Sequence, residues 1–352
     1  MNPGNSEYHK NDLFPNHCFI IAEAGVNHNG DIKLAKQLID VAADAGADAV
    51  KFQTFHADNI VTRDAEKAEY QKITTSSDES QYDMIKKLEL PDAAFRELSD
   101  YARDKGIIFL STPFDEESVD LLDDIGVPAF KIPSGEITNF PLLKKIADKG
   151  RPVILSTGMA TLGEVEEALL YLKEMGSKDV ILLHCTTSYP APFDSVNLRA
   201  MNTLRCAFKV PVGYSDHTEG ITIPIAAVAM GARVIEKHFT IDRTLSGPDH
   251  QASIEPHELK AMVKGIRGVE RALGDGTKIP SPEEEVIKKI ARKSIVAKYD
   301  IKKGERLTED ILTIKRPGTG IEPKFLNYII GKRVNTEIKQ DEPLYLDQLL
   351  FN

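Results

Sequence analysis

The sequence predicts an α/β protein built on a (β/α)8 TIM barrel, followed by a small C-terminal β-rich domain. Eight short apolar runs, each too short for a helix, alternate along the chain with amphipathic stretches of helical period. The runs are almost continuously apolar, as expected for parallel strands that are buried on both faces. Eight such alternations in a chain of 352 residues fit a closed barrel better than an open doubly wound sheet.

The strands and helices follow one another in a regular order. The predicted strands are residues 18–22, 49–52, 107–110, 129–132, 153–155, 180–183, 210–212 and 233–236. The predicted helices are residues 32–45, 93–105, 116–125, 141–149, 162–175, 222–230 and 256–273. Several helical stretches end at a glycine, the residue that most readily adopts the left-handed conformation of a helix C-cap. These glycines are Gly46, Gly106, Gly126 and Gly176.

Three ranges depart from this rhythm. Residues 56–90, after the second strand, are polar and rich in Ser, Thr, Asp and Lys, which predicts a functional lid or a mobile loop. Residues 276–292 contain Gly and Pro turn signals and predict a linker. Residues 293–352 carry short β-like runs and little apolar sequence, so we expect a separate small domain that packs on something else. The barrel domain is accordingly predicted to span residues 1–275.

Composition narrows the classes of function. The chain has 54 acidic and 44 basic residues, a net charge of -10, and no block of Lys or Arg that would bind a phosphate backbone. We therefore expect no nucleic-acid partner. An anionic small substrate remains compatible with this charge, because lysines inside a pocket can bind it whatever the net charge of the protein.

Cysteine content and apolar content indicate a cytoplasmic protein. The three cysteines are too few and too scattered for a disulfide framework or a Cys-x-x-Cys metal site, so we expect reduced thiols. Residues 1–15 are polar, and no stretch of about 18 consecutive apolar residues occurs that would cross a bilayer. The cysteines are Cys18, Cys185 and Cys206.

Polar residues stand at the end of nearly every predicted strand. In a barrel the carboxyl ends of all strands meet at one rim, which is the usual catalytic face, so we predict an enzyme. From the first strand to the eighth, these residues are Glu23; Lys51 and Gln53; Thr112; Lys131, Ser134 and Glu136; Ser156; His184 and Tyr189; Ser215 and His217; and Glu236 and His238.

Two histidines on neighbouring strand ends indicate a metal site. A single histidine after a strand is usually a hydrogen-bonded structural residue, and His28 and His184 fit that description. His217 and His238 form a pair, and a divalent ion can take its remaining ligands from substrate and water. Mn²⁺, Fe²⁺, Co²⁺ and Zn²⁺ all suit such a donor set.

Two lysines are predicted to lie inside the barrel mouth. Burying an unpaired ammonium group is expensive, so Lys51 and Lys131 should each meet an anion. One alternative is a salt bridge to Glu23 or Glu136. Another is a bound phosphate or carboxylate, which suits a phosphorylated carboxylate such as phosphoenolpyruvate. A third is a Schiff-base lysine of the aldolase type, which would need a depressed pKa.

Longer motifs resemble a known family. The barrel motifs are FIIAEAGVNHNG (19–30), VKFQTF (50–55), KIPSGE (131–136), GYSDHT (213–218), EKHF (236–239) and SGPDH (246–250). They resemble the sialic acid synthase family. The C-terminal segments ARKSIVA (291–297), KRPGTG (315–320) and IGK (330–332) are similar to the antifreeze-like (SAF) domain that these synthases carry.

The resemblance implies a reaction and its partners. Phosphoenolpyruvate would condense with an open-chain N-acetylated amino sugar to give a nine-carbon 2-keto acid and phosphate. A divalent metal would polarise the aldehyde oxygen; Mn²⁺ is usual in the family, with Mg²⁺ or Co²⁺ as alternatives. The active form would be a domain-swapped homodimer in which Arg316 reaches the active site of the other subunit.

The resemblance also implies roles for individual residues. His217 and His238 match the metal ligands. Glu136 matches a carboxylate near the reacting carbons and is the candidate base, with Glu23 as an orienting group; these two assignments could be exchanged. The phosphoenolpyruvate contacts match Lys51, Thr112, Lys131, Ser134, Ser156 and Ser215. The sugar contacts match Glu23, Gln53, Tyr189 and Asp249.

The sequence motifs specify the type of reaction more closely than they specify the sugar substrate. We favour N-acetylmannosamine, which would give N-acetylneuraminate. Relatives with similar motifs make legionaminic or pseudaminic acid from a 2,4-diacetamido-trideoxy-hexose, and that alternative stays open because pocket shape sets the difference. A Schiff-base aldolase or lyase on the same barrel is the competing class of enzyme.

Overall fold

The computed structural model describes residues 17–67, 71–72, 75 and 79–350. The chain divides into two compact units, Met1–Gly274 and Asp275–Asn352, and the division falls one residue before the end predicted for the barrel domain. The polar segment 1–15 and part of the predicted lid lie outside the described residues. Within the described residues, no helix is both long and apolar enough to cross a membrane.

Among the described residues of the first unit, eight parallel strands form one sheet. Their hydrogen-bonded order is β3-β2-β1-β8-β7-β6-β5-β4. The two end strands of this order, β3 and β4, lie side by side, so the sheet curls into a barrel as predicted. The strands are β1 Phe19–Gly25, β2 Ala49–Thr54, β3 Ile108–Pro113, β4 Phe130–Ile132, β5 Val153–Ser156, β6 Val180–Cys185, β7 Val212–Asp216 and β8 Val234–His238.

Helices connect the strands and cover the outside of the barrel. Their apolar faces pack with the outward side chains of the strands in one large core. The helices of the first unit are α1 Ile32–Ala45, α2 Ala57–Ile60, α3 Gln81–Leu88, α4 Asp92–Asp104, α5 Glu116–Ile125, α6 Phe140–Ala147, α7 Leu162–Glu174, α8 Phe193–Val196, α9 Ala200–Phe208, α10 Thr222–Ala229 and α11 Pro256–Leu273.

Alternation along each strand separates inward from outward side chains. On β8, Val234 belongs to the small core inside the barrel, and Glu236 and His238 point toward the same side and line a cavity. Ile235, on the opposite side, packs with the helices. Barrel strands therefore carry apolar residues inward near their start and polar residues inward near their carboxyl ends.

The sequence-based boundaries were wrong in several places. Strands β7 and β8 run further than predicted, because their polar final residues continue the ladder, as in the pairing of Asp216 with Lys237. Helix α9 was not predicted, since its nine residues include Asn, Thr and Cys, which weaken the helical signal. Among its described residues, the polar range 56–90 includes the helices α2 and α3, and α3 begins with a capping box of Ser80 and Asp83.

The second unit has a small β-rich core of its own. Two antiparallel pairs of short strands, with isolated bridges between other segments, surround a cluster of buried aliphatic residues such as Ile295 and Leu344. The strands are β9 Ser294–Ala297, β10 Leu312–Lys315, β11 Arg333–Val334 and β12 Leu349–Leu350, and the short helix Leu326–Ile329 precedes β11.

The segment predicted as a linker, residues 276–292, contains a helix, and its role as a linker stays a prediction. Helix Pro282–Ala291 starts at Ser281, whose side chain accepts a hydrogen bond from the Glu284 backbone in a capping box, with a proline at the first helical position. The Pro-Ser-Pro sequence that predicts a break is therefore the start signal of a helix.

Candidate active site

A cavity of about 350 Å³ opens at the carboxyl ends of the barrel strands. Its volume lies in the range of small-molecule sites. Twelve of the residues that sequence analysis singled out as site residues line it, contributed by every strand of the barrel or by the segments that follow the strands. They are Glu23, Lys51, Gln53, Thr112, Lys131, Ser134, Ser156, Tyr189, Ser215, His217, His238 and Asp249.

Two lysines and two carboxylates form what we call the charged floor of the cavity: Glu23, Lys51, Lys131 and Glu236. Lys51 Nζ lies 2.6 Å from Glu23 Oε2 and 3.6 Å from Glu236 Oε2. Lys131 Nζ lies 3.3 Å from Glu236 Oε1. All four side chains are buried. Lys51 therefore meets Glu23, as in one of the alternatives open from the sequence, whereas Lys131 meets Glu236 and not Glu136. Both lysines also line the cavity.

Burial and charge act in opposite directions on these four groups. Desolvation raises the pKa of Glu23 to about 7, although Lys51 opposes it. Desolvation disfavours the charged form of Glu236 too, but Lys131 and Lys51 outweigh it and lower the pKa of Glu236 well below its usual value. Burial lowers the pKa of Lys131. When Glu23 is protonated and both lysines are charged, the floor carries a net positive charge, which suits an anion.

Hydroxyl groups of the site surround this floor. Lys51 Nζ donates to Thr112 Oγ1 at 2.7 Å, and Ser215 Oγ donates to Glu236 Oε1 at 2.7 Å. Ser134 Oγ accepts from the backbone N–H of Gly158 at 2.9 Å. Ser156 Oγ is buried and forms no hydrogen bond within the described part of the chain. A buried hydroxyl without a partner on a cavity wall is a candidate ligand contact.

The two predicted metal-binding histidines lie together on the cavity wall. The ring centroids of His217 and His238 are 5.5 Å apart, and the ring of Tyr189 lies 4.2 Å from that of His217. Burial lowers the pKa of His238 well below its usual value, so its imidazole is neutral. Burial also acts to lower the pKa of His217, but the hydrogen bond with Cys185 outweighs it and raises that pKa. Neutral imidazole is the form that binds a metal.

A divalent ion fits this pair in part. His238 Nδ1 is buried and has no hydrogen-bond partner among the described residues, while His217 Nδ1 lies 2.9 Å from the Thr186 carbonyl oxygen. No cluster of three or more His, Cys, Asp or Glu suited to a metal occurs in the described residues. The protein would therefore supply two nitrogen ligands, and substrate and water would supply oxygen ligands.

A second buried ion pair lies behind the histidines, on the outward side of the same strands. Lys237 Nζ lies 2.7 Å from Asp216 Oδ2, and both side chains are fully buried. Lys237 also donates to the Thr218 carbonyl oxygen. Asp216 Oδ1 accepts from the Tyr214 hydroxyl and from the Thr218 backbone N–H, each at 3.0 Å. This network links the ends of β7 and β8, which carry His217 and His238.

Two predicted site residues are not among the described residues that line the cavity. The carboxylate of Glu136 accepts a hydrogen bond from Asn139 Nδ2 at 2.6 Å, at the end of the 3-10 turn Ser134–Glu136. Arg316 belongs to the second unit, follows β10 and is exposed. The roles of both residues stay predictions. His28 and His184, read from the sequence as structural, are hydrogen bonded to Gly30 N–H and to the Val196 carbonyl oxygen respectively.

Sequence reasoning gave no role to Glu236, although it lies in the centre of the charged floor. The signal was present, because Glu236 and His238 are two residues apart on one strand and so share a face. Cys185 was also missed; its Sγ lies 3.7 Å from His217 Nδ1 on the cavity wall.

Comparison with known proteins agrees with this geometry. The sequence profile of the NeuB family matches residues 38–278, and that of the SAF domain matches residues 292–350. The N,N'-diacetyllegionaminic acid synthase of Campylobacter jejuni is 58% identical, over 92% of this chain and 97% of that protein. The enzyme of the same name from Legionella pneumophila is 50% identical, over 94% of each.

A solved structure supports the same family. The N-acetylneuraminic acid synthetase of Leptospira borgpetersenii, solved with citrate, has 41% sequence identity and a TM-score of 0.69, and the match covers 77% of this chain and 90% of that one. The family expected from the sequence motifs is therefore confirmed. The chain belongs to the NeuB family and carries a C-terminal SAF domain.

Proposed function

We propose that this protein is a nonulosonic acid synthase that joins phosphoenolpyruvate to a 2,4-diacetamido-trideoxy-hexose, giving N,N'-diacetyllegionaminic acid and phosphate. The observation that carries the proposal is the shared cavity. Two lysines, two carboxylates and two imidazoles line one small space, which suits a small dianion beside an aldehyde. Membership of the NeuB family supports the reaction class.

The sugar in this proposal is the alternative from the sequence analysis, and N-acetylmannosamine becomes the second choice. The support comes from the Campylobacter and Legionella relatives, whose names specify the diacetyl product and which are more similar to this chain than the Leptospira sialic acid synthetase is. Because closely related pockets differ in substrate, the choice needs a direct test.

The reaction requires one carbon–carbon bond and one carbon–oxygen cleavage. C3 of phosphoenolpyruvate bonds to the aldehyde carbon, water adds to C2, and the C2–O bond to the phosphoryl group breaks to release inorganic phosphate. Lys51 and Lys131 would hold the carboxylate and phosphate. In its ionised form, which a pKa of about 7 makes accessible near neutral pH, Glu23 is suited to accept the proton of the attacking water, because it lines the cavity. This geometry favours Glu23 over Glu136 as the base.

We propose that His217 and His238 bind a divalent ion, with Mn²⁺ favoured and Mg²⁺ or Co²⁺ as alternatives. When bound, such an ion polarises the aldehyde oxygen and makes its carbon more electrophilic. The neutral ring of His238 and its unpartnered Nδ1 support this assignment. Mn²⁺ titration followed by electron paramagnetic resonance should show binding that is lost in His238→Gln. Equal Mn²⁺ binding by both proteins would contradict the assignment.

We further propose that the active form is a domain-swapped homodimer in which Arg316 completes the cavity of the other subunit. Support comes from the family resemblance of the KRPGTG segment and from the exposure of Arg316. Mixing inactive Arg316→Ala with inactive Lys51→Met before refolding should restore part of the activity, because mixed dimers contain one intact site. No recovery in mixed dimers would contradict the exchange.

The central experiment measures phosphate release from phosphoenolpyruvate with a panel of sugars. The panel contains the diacetamido-trideoxy-hexose, N-acetylmannosamine and its 6-phosphate, each with and without Mn²⁺. We expect the highest kcat/KM with the diacetamido sugar. A higher value with N-acetylmannosamine would overturn the substrate choice. Phosphate-free turnover with a lysine adduct that borohydride traps would instead support the aldolase class.

A further inference from the structure

One side of the cavity is apolar, and half of its residues come from the segment 56–90 that the sequence predicts as a polar lid. Six residues, which we call the apolar wall, form a hydrophobic cluster separate from the main barrel core, and all of them line the cavity. They are Val26, Phe55, Ile60, Ile85, Leu88 and Phe114.

Local structure explains why these side chains face the cavity. Helix α3 is amphipathic: Lys86 and Lys87 pair with acidic residues on its outer side, while Ile85 and Leu88 line the cavity. The rings of Phe55 and Phe114 pack edge to face with centroids 6.3 Å apart. These contacts hold the wall in a fixed position above the strand ends.

The residues of the apolar wall fall into two groups by burial. The buried ones support the fold, and the partly buried ones can contact a ligand. Val26, Phe55 and Leu88 are buried among their neighbours and hold α3 on the barrel. Ile60 and Ile85 are only partly buried, so part of each side chain remains available to a molecule in the cavity. An apolar surface left open inside a site gains free energy only from apolar groups of the ligand.

We infer that the apolar wall selects the sugar by its methyl groups, with Ile85 as a specificity-determining residue. The inference rests on the proposed function. The diacetamido-trideoxy-hexose has a terminal methyl group and a second acetamido methyl group where N-acetylmannosamine has a hydroxymethyl and a hydroxyl group. The charged floor binds the groups that all substrates of this reaction share, so the wall is free to discriminate among sugars.

The first test changes the wall without changing the floor. Ile85→Thr keeps the branch at Cβ and replaces the ethyl arm with a hydroxyl group. Ile125→Thr is the matched control, because Ile125 is partly buried at the end of α5 and does not line the cavity. We expect Ile85→Thr to lower kcat/KM for the diacetamido sugar about tenfold relative to N-acetylmannosamine. The KM for phosphoenolpyruvate should stay within twofold. Ile125→Thr should leave the ratio of the two sugars unchanged.

A second variant and a binding measurement test the same inference without relying only on the kcat/KM ratio of Ile85→Thr. Ile60→Thr, from the other helix of the wall, should shift the same ratio in the same direction. Saturation-transfer NMR on the wild type should show the strongest transfer at the methyl protons of the sugar, reduced in Ile85→Thr. An unchanged ratio in both variants, with normal melting temperatures, would overturn the inference. A wild type that prefers N-acetylmannosamine would instead overturn the proposed function.

Discussion

Two groups of buried charges lie on neighbouring strands of this barrel, and they differ in how completely their polar atoms are used. The outward pair of Asp216 and Lys237 is fully buried, and Tyr214 and Thr218 complete its hydrogen bonds. The inward charged floor opens on the cavity, beside a Ser156 hydroxyl that has no partner in the described residues. The outward pair has its hydrogen bonds within the protein, whereas we propose that the floor receives a ligand.

Burial alone does not identify a charged residue that has a functional role. Each group contains a lysine on a barrel strand whose pKa is lowered by burial, Lys131 in the floor and Lys237 in the outward pair. The two lysines differ in their surroundings. Lys131 lines the cavity, whereas the Lys237 side chain is fully buried. A buried pair that has all its hydrogen bonds can contribute stability and geometry, whereas a charge held at a cavity costs stability and contributes binding.

Replacing a lysine of the charged floor should have the greatest effect, a loss of enzymatic activity. Lys131→Met removes an ammonium group that we assign to phosphoenolpyruvate, so kcat/KM for phosphoenolpyruvate should fall about 1,000-fold or more. Steady-state phosphate release measures it. Lys145→Met, on the outer helix α6, is the control and should keep normal activity. Retained activity in Lys131→Met would remove the distinction between the two groups.

The second effect is on stability. Lys237→Met leaves Asp216 buried without its partner, so the free energy of unfolding should fall by about 3–5 kcal/mol. Urea unfolding measures the change, and the double variant Lys237→Met/Asp216→Asn should recover part of it by removing the stranded charge. If Lys237→Met costs no more stability than Lys131→Met, the outward pair has no special structural role.

The sequence predicted much of this site because TIM-barrel geometry is regular. Once eight strands are assigned, their carboxyl ends meet, and Lys51, Lys131, His217 and His238 fall on one rim. Glu236 was predicted to lie at this rim but was given no role, because the end of β8 was predicted two residues early.

The apolar wall and the second unit contain features that local sequence patterns alone did not predict. Helix α3 was missed because a polar composition hides a short amphipathic helix whose apolar side becomes clear only against the cavity. The role that we propose for Arg316 depends on an assembly of two chains, and within one chain the residue is only an exposed arginine after β10.

The third effect tests the floor through pH. Burial raises the pKa of Glu23 from its ordinary value of 4.5 to about 7, so the folded protein keeps a proton that the unfolded chain releases. This contribution to stability is fully present below pH 4.5 and is lost as pH rises through 7, up to about 3 kcal/mol. Glu23→Gln mimics the protonated form. Urea unfolding from pH 5 to 8 should show a shallower decline in the variant, and parallel curves would contradict the assignment.

The smallest effect concerns an ion pair at the opposite end of the barrel. Arg267 on α11 lies 2.7 Å from Asp48, just before β2, and donates to the Cys18 carbonyl oxygen, so it ties the helix layer to the amino ends of β1 and β2. Arg267→Met should lower the free energy of unfolding by about 1–2 kcal/mol, because the pair is half-exposed and one hydrogen bond to backbone is lost. Phosphate release should be unchanged. Arg271→Met, an exposed arginine on the same helix, is the control. A loss of activity in Arg267→Met at full folding would show that charges at the two ends of the strands are coupled, and the separation between structural and ligand-receiving charges would fail.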